Sequence, residues 1–248
     1  MIYEGFAAVY DALMADVDYT RWAEYYLHLA QKMGVSVQRA ADCACGTGSL
    51  TLEIAARGVQ VTGLDLSMEM LRIAGGKARE RGMQIPFVRQ DMRKLLLHRP
   101  MDAVFCACDG VNYLTRPDDA RAFFAAAYTS LRPGGGLFFD VSSVYKLGHS
   151  LGNNCLGCDD EKIAYIWQNH YEPKARMLQM DLTFFTREAD GRYARFGETH
   201  FQRAHGMEEL VAWLEESGFE HVTVCGDKNF SPPMETEDRL HFAAIRPE

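Results

Sequence analysis

Asp42-Cys43-Ala44-Cys45-Gly46-Thr47-Gly48, followed by Leu64-Asp65-Leu66-Ser67, is the stretch that decides the fold. Ala40 to Cys43 is a short apolar run with an acid near its end, Cys45 to Gly48 is a tight glycine turn, and Leu50 to Ala56 opens a helix. The segment therefore predicts strand, turn and helix in succession. Gly46 and Gly48 let the backbone turn sharply and let a ligand approach where a Cβ would collide. Thr51 stands where the dinucleotide fingerprint has its third glycine, which argues against NAD or FAD. Asp65 ends the next apolar run, Val59 to Leu64, where this geometry presents a carboxylate to ribose hydroxyls, so a nucleoside is the expected ligand. Asp42, just before the glycine turn, suits an ammonium group better than a phosphate, which it would repel.

Outward from this unit, apolar strand-like runs alternate with helical segments. Ile85 to Val88, Ala103 to Ala107 and Leu137 to Val141 are further predicted strands, with helices over Ser67 to Glu80 and Pro117 to Leu131 between them. Ser67 is a predicted N-cap, and Arg132-Pro133-Gly134-Gly135-Gly136 is a predicted stop and turn. Such alternation implies a parallel sheet covered on both faces. Two amphipathic helices precede it, Ile2 to Leu13 and Tyr19 to Met33. After Val141 the pattern breaks. Ile163 to Tyr171, Arg176 to Arg187 and Arg192 to His205 predict a three-stranded antiparallel insertion, with turns at Glu172-Pro173-Lys174 and Glu188-Ala189-Asp190-Gly191. A helix over Met207 to Gly218 and strands over Phe219 to Cys225 and Leu240 to Ile245 close the chain.

In this order the elements resemble the class I S-adenosylmethionine-dependent methyltransferases, over about residues 35 to 140. The resemblance implies an α/β fold, a Rossmann-like seven-stranded sheet with the antiparallel β insertion as its lid. It also implies that the turn at Gly46 and Gly48 packs against the methionine part of S-adenosyl-L-methionine, that Asp65 holds the ribose and that Asp91 lies near the adenine. Asp42, Cys43, Ala44, Cys45, Leu66, Met70, Met92 and Cys108 complete the expected cofactor contacts, with S-adenosyl-L-homocysteine as product. Tyr3 to Asp11 resembles the opening segment of small bacterial methyltransferases that carry a β-rich insertion after the fifth strand. The expected organisation is a helical cap over 1–34, a core over 35–141 and 207–248, and a lid over 142–206.

Composition narrows the partners. The 248 residues are 48% hydrophobic and 24% charged, as in an ordinary globular protein. A net charge of −8 offers no general attraction to a polyanion, so nucleic acid is not an expected partner. The N-terminal stretch lacks a basic region followed by an apolar one, and no apolar run reaches membrane-span length; a cytoplasmic protein is expected, without a membrane partner. Seven cysteines without framework spacing fit a reducing compartment. Cys155 and Cys158 have the spacing of half a zinc site but no second pair, so no metal is expected.

Methyl transfer from a sulfonium is an in-line displacement that asks the protein mainly to align the reactants and exclude water. Cys106 to Tyr113 forms the rim where an acceptor would sit. Cys106 and Cys108 read as core or cofactor-lining thiols. The rim lacks both the Asn/Asp-Pro-Pro-aromatic signature of nucleic-acid amino-methyltransferases and the Pro-Cys nucleophile of cytosine C5 enzymes. Glu198, His200 and Gln202 alternate along one predicted strand face, and Tyr165, Trp167, Asn169 and Tyr171 along another; the polar face is either a solvated sheet face or a substrate surface. On the second reading His200, supported by Glu198, is the expected catalytic residue, positioning the acceptor or taking its proton. Tyr10, Asn112, Tyr113, Trp167, Tyr171 and Gln202 are the expected contacts to a small-molecule acceptor with a nitrogen or oxygen nucleophile; the alternatives are methylation of RNA or protein, or a non-catalytic module that binds S-adenosylmethionine.

Overall fold

The computed structural model describes residues 6–248, so Ile2 to Gly5 of the expected first helix lie outside the described residues. Helices α1 (Ala7–Leu13) and α2 (Tyr19–Lys32) come first; Asp18 caps α2 by accepting the Arg21 N–H at 2.9 Å. Then follow β1 (Arg39–Cys43), α3 (Ser49–Ala56), β2 (Gln60–Asp65), α4 (Met68–Glu80), β3 (Phe87–Arg89), β4 (Met101–Cys106), α5 (Pro117–Ser130) and β5 (Leu131–Ser142). Ser67 does cap α4, its hydroxyl accepting the Met70 N–H at 3.3 Å. Strands β6 (Cys155–Cys158), β7 (Ile163–Glu172), β8 (Met177–Arg187) and β9 (Tyr193–Arg203) precede α6 (Met207–Glu216), β10 (Glu220–Cys225) and β11 (Arg239–Ile245).

The strands form two sheets. The larger is seven-stranded in the order β10-β11-β5-β4-β1-β2-β3, parallel except for β11, which runs antiparallel to both β10 and β5. Alternation along the strands feeds two cores. Ala103 and Phe105 of β4 pack with Trp22, Tyr26, Leu50 and Ile54 from α2 and α3, whereas Val104 and Cys106 pack with Phe123, Phe124, Leu210 and Trp213 from α5 and α6. Phe139 and Phe242 stack across β5 and β11 with ring centroids 4.8 Å apart. Each fully buried aromatic of this kind contributes about 2–3 kcal/mol. The chain order reverses beside β1, which has β2 on one side and β4 on the other, so a crevice opens at the carboxyl ends of those strands.

Two expectations are corrected. The second sheet has four strands, in the order β6-β7-β8-β9, because Cys155–Cys158 pairs antiparallel with β7. That run is exposed throughout, so no apolar alternation marks it in the sequence. The glycine run expected to stop the chain at 132–136 is instead absorbed into β5, as an irregularity in its pairing with β4 between Met101 and Ala103. Among the described residues no helix is long and apolar enough to cross a membrane.

The two turn glycines answer to different constraints. Both have positive φ, +54° at Gly46 and +73° at Gly48, but a Cβ at Gly46 would meet nothing within 4 Å. At Gly48 it would lie 2.8 Å from the Ala74 Cβ and 3.0 Å from the Phe87 ring, so this glycine permits close packing of the turn on α4 and β3. Gly48→Ala should therefore lower the unfolding free energy by about 2–3 kcal/mol, and Gly46→Ala, strained only in its backbone, by about 1 kcal/mol, in urea denaturation. Equal losses would contradict the packing account.

Candidate active site

A cavity of about 1110 Å³ opens at the carboxyl ends of β1, β2 and β4 and runs beneath the inner face of the antiparallel sheet. The turn after β1 forms one wall, with Asp42, Ala44, Cys45 and Gly46. Cys43 points the other way, fully buried in the core, because neighbouring strand residues face opposite sides. Gly48 lies behind the wall, against α4. Asp65 is held by two backbone donors, Gly46 N–H at 2.9 Å and Ser67 N–H at 2.8 Å, and lines the cavity with Leu66 and Met70. Asp91 and Met92 extend the same wall. Arg93 grips the Asp91 carboxylate at 2.6 Å and reaches Asp119 at 2.9 Å, holding the Asp91 carboxyl below its ordinary range.

Asp42 is 2% exposed. Burial raises its carboxyl to about 7, a hydrogen bond from Thr51 Oγ1 at 2.5 Å opposes the shift, and Asp65 adds to it. Thr51, read in the sequence only as a missing glycine, is therefore the partner of this acid.

Beneath the cavity lies a buried charge cluster that the sequence did not announce. Asp140, fully buried on β5, accepts the Tyr26 hydroxyl at 2.9 Å, the Cys108 N–H at 2.8 Å and the Asp109 N–H at 3.2 Å. Arg239 bridges Asp140 and Asp109, and Ser142 Oγ donates to Asp109 at 2.9 Å. Burial alone would raise the Asp109 carboxyl; Arg239, and Lys146 at longer range, more than offset it and keep it ionised. These contacts hold Cys108 and Asp109 at φ +56° and +66°, a conformation unusual for residues other than glycine. Cys108 lines the cavity, whereas Cys106 faces the core, and burial pushes both thiols up, which disfavours nucleophilic thiolates.

The roof is the inner face of the antiparallel sheet: Tyr165 and Trp167 from β7, Met180, Leu182 and Phe184 from β8, and His200 and Gln202 from β9. His200 is 1% exposed, so this face is not solvated. Its Nε2 lies 3.3 Å from Glu198, and its Nδ1 lies 3.4 Å from the hydroxyl of Tyr113, which also lines the cavity. Glu198 stands behind His200 and accepts the Phe6 N–H at 3.1 Å. Tyr10 of α1 lines the cavity, and the neighbouring Asp11 ties that helix down by accepting Thr47 Oγ1 at 2.6 Å and Lys77 Nζ at 2.7 Å.

Two expected acceptor contacts lie outside the cavity. Asn112 spends its amide on backbone, donating to Ser142 O at 3.1 Å and Arg203 O at 2.9 Å and accepting Ser142 N–H at 2.9 Å. It joins the end of β5 to the end of β9. Tyr171 packs instead against a small cluster around Leu147, Leu178 and Met180. Cys155 and Cys158, three positions apart on an extended edge strand, point to opposite faces.

Residues 40–135 match the family model described as "Methyltransferase domain". A protein of Geobacillus sp. (strain WCH70) named "Putative methyltransferase" is 36% identical over 98% of this chain and 99% of its own length. The crystal structure of an S-adenosylmethionine-dependent methyltransferase from Clostridium acetobutylicum is 30% identical, covers 100% of both chains and superposes with a TM-score of 0.90. The fold is shared, at 22% identity and a TM-score of 0.74 over 99% of this chain and 98% of the other, by an amino pentose methyltransferase from Micromonospora echinaspora.

Asp42 gives the fold a pH dependence. Its carboxyl is neutral in the fold up to about pH 7 but ionises near 3.8 when unfolded, so the native state holds the extra proton between those values. The stabilisation is complete below pH 3.8 and is lost as pH rises through 7, an effect of at most about 4 kcal/mol. Asp42→Asn, which removes the titration, should lose less stability than the wild type between pH 5 and pH 8 in urea unfolding without ligand. A wild type and variant with parallel pH profiles would sink this account.

Proposed function

This chain belongs to the S-adenosylmethionine-dependent methyltransferases, and from that premise we propose that it methylates a nitrogen or oxygen atom of a small molecule bound between the two sheets. The observation that carries the acceptor half of this reading is His200, buried in the cavity roof between Glu198 and the Tyr113 hydroxyl. The small-molecule acceptor also fits the neighbour named as an amino pentose methyltransferase. Seven free cysteines support a reducing, cytoplasmic setting.

The cofactor fits the residues present: the Gly46 turn leaves open space where a Cβ would stand, and two carboxylates, Asp42 and Asp65, line the same wall. S-adenosyl-L-methionine supplies a methyl group already activated on a sulfonium. Asp65 would hold the ribose hydroxyls, its carboxylate kept in place by Gly46 and Ser67, and the wall at Asp91 and Met92 would receive the adenine. Asp42 would face the ammonium of the amino-acid part, and that positive charge would pull its raised carboxyl back to the ionised form. On the acceptor side, a proton on His200 Nε2 directed at Glu198 leaves Nδ1 basic, facing Tyr113. Tyr113 would pass the acceptor's proton to that nitrogen while the buried walls exclude water.

S-adenosyl-L-homocysteine should bind the wild type in calorimetry, and Asp65→Ala should weaken it by about tenfold or more. With labelled methyl donor and a fractionated bacterial cell extract, label should enter the small-molecule pool. Label confined to RNA or protein would overturn the acceptor class.

His200→Ala should slow methyl transfer about 100-fold or more at neutral pH, with homocysteine-product affinity unchanged within about twofold. Tyr113→Phe should retain that affinity as well. Full turnover by His200→Ala would mean that alignment alone drives the reaction.

A further inference from the structure

We propose that the methyl acceptor carries an anionic oxygen group, a carboxylate or phosphate on an apolar body, and that Lys146 reads it; this rests on the small-molecule reading above. Four cations line the cavity, and three are already engaged. Arg239 is held by Asp109 and Asp140, and Arg93 by Asp91 and Asp119. Arg89 stands at the opposite end, on β3, where it donates to Leu66 O at 3.1 Å. Lys146 lies on the acceptor side, half-buried, and among the described residues its ammonium makes neither an ion pair nor a hydrogen bond.

The backbone that presents this lysine is anchored on both sides. Lys146 N–H donates to Ser143 Oγ at 3.0 Å, and the next residue, Leu147, is fully buried in the cluster with Leu178, Met180 and Ala204. Lys146 thus opens a short helical segment, Lys146–Leu151, anchored just after β5. An ammonium kept partly out of water on such an anchor has three donors to satisfy. Asp109 feels its charge at range but already accepts Arg239 and Ser142. A ligand oxyanion supplies both charge and acceptors in one group.

The rest of the acceptor compartment defines what carries that group. Leu151, Trp167, Met180, Leu182 and Phe184 form an apolar surface, with Gln202 and His200 as its polar points. A protonated amine at this end would be repelled by Lys146, and a neutral molecule would leave its ammonium to water, without a counter-charge. An organic anion with an apolar body meets both demands, its nucleophile directed at Tyr113 and His200.

The alternative role for Lys146 is as a distant counter-charge to the Asp109–Asp140–Arg239 cluster, and the test separates the two. Wild type, Lys146→Met and Lys146→Arg are incubated with labelled S-adenosyl-L-methionine and the small-molecule fraction of a bacterial cell extract, and products are separated by ion exchange at pH 7. The labelled product of the wild type should be retained on an anion exchanger. At limiting extract, Lys146→Met should label it about tenfold less and Lys146→Arg should recover most of the loss, with S-adenosyl-L-homocysteine affinity unchanged within about twofold in all three. A neutral or cationic product, or equal labelling by Lys146→Met, overturns this proposal and leaves the small-molecule reading standing. A parallel loss of labelling and product affinity assigns Lys146 to the charge cluster and also overturns it. Absence of any labelled small molecule, with the cofactor bound, removes the small-molecule reading and this proposal together.

Discussion

The buried contact between Arg239 and Asp140 is the constraint on which the cavity floor depends. The Asp140 carboxylate has been taken fully out of water there, and the Arg239 guanidinium and Asp109 carboxylate largely so, a desolvation that dense hydrogen bonding compensates. Asp140 receives a hydroxyl from α2 and two N–H groups from the loop after β4, while Arg239 comes from the start of β11. Four separate parts of the chain therefore meet at one acid. The left-handed backbone at Cys108 and Asp109 costs about 1–3 kcal/mol per residue and persists because this network over-determines it. The shape of the floor is thus imposed from below, independently of what binds above.

The legible part of the fold was the part written in local patterns. The glycine turn, Asp65 after its strand, the Ser67 cap and the long antiparallel strands each depend on residues a few positions apart. The alternation of Glu198, His200 and Gln202 was also readable, although whether that face met solvent depended on what packed over it. Asp140 and Arg239 are 99 positions apart, and nothing in either neighbourhood names the other. The one local sign was an acid inside the apolar run Leu137 to Val141. Cys43, expected among the cofactor contacts, sits at a strand end where period two sends Asp42 to the cavity and Cys43 to the core. Asn112 was misplaced for a related reason: a polar residue on the rim is as useful to two neighbouring strand ends as to a ligand.

That use of Asn112 changes how the antiparallel sheet is understood. Three hydrogen bonds from one buried amide connect Ser142, the last residue of β5, with Arg203, the last of β9. Two of these bonds go to Ser142 and one to Arg203, so the link to the antiparallel sheet is a single hydrogen bond of about 1 kcal/mol net, and breaking it would leave a buried amide donor unsatisfied. Asn112 thus ties the end of β9, the strand that carries His200, to the end of β5.

The first helix is fastened partly by a charge pair of another kind. Asp11 secures α1 through Lys77 and the hydroxyls of Thr47 and Ser49, but the Asp11 and Lys77 side chains are 41% and 23% exposed. An ion pair so placed contributes only about 1 kcal/mol and weakens with salt. The two charged sites therefore differ in kind: the network around Asp140 is buried, whereas the Asp11–Lys77 pair is open to water, so added salt screens the second far more than the first.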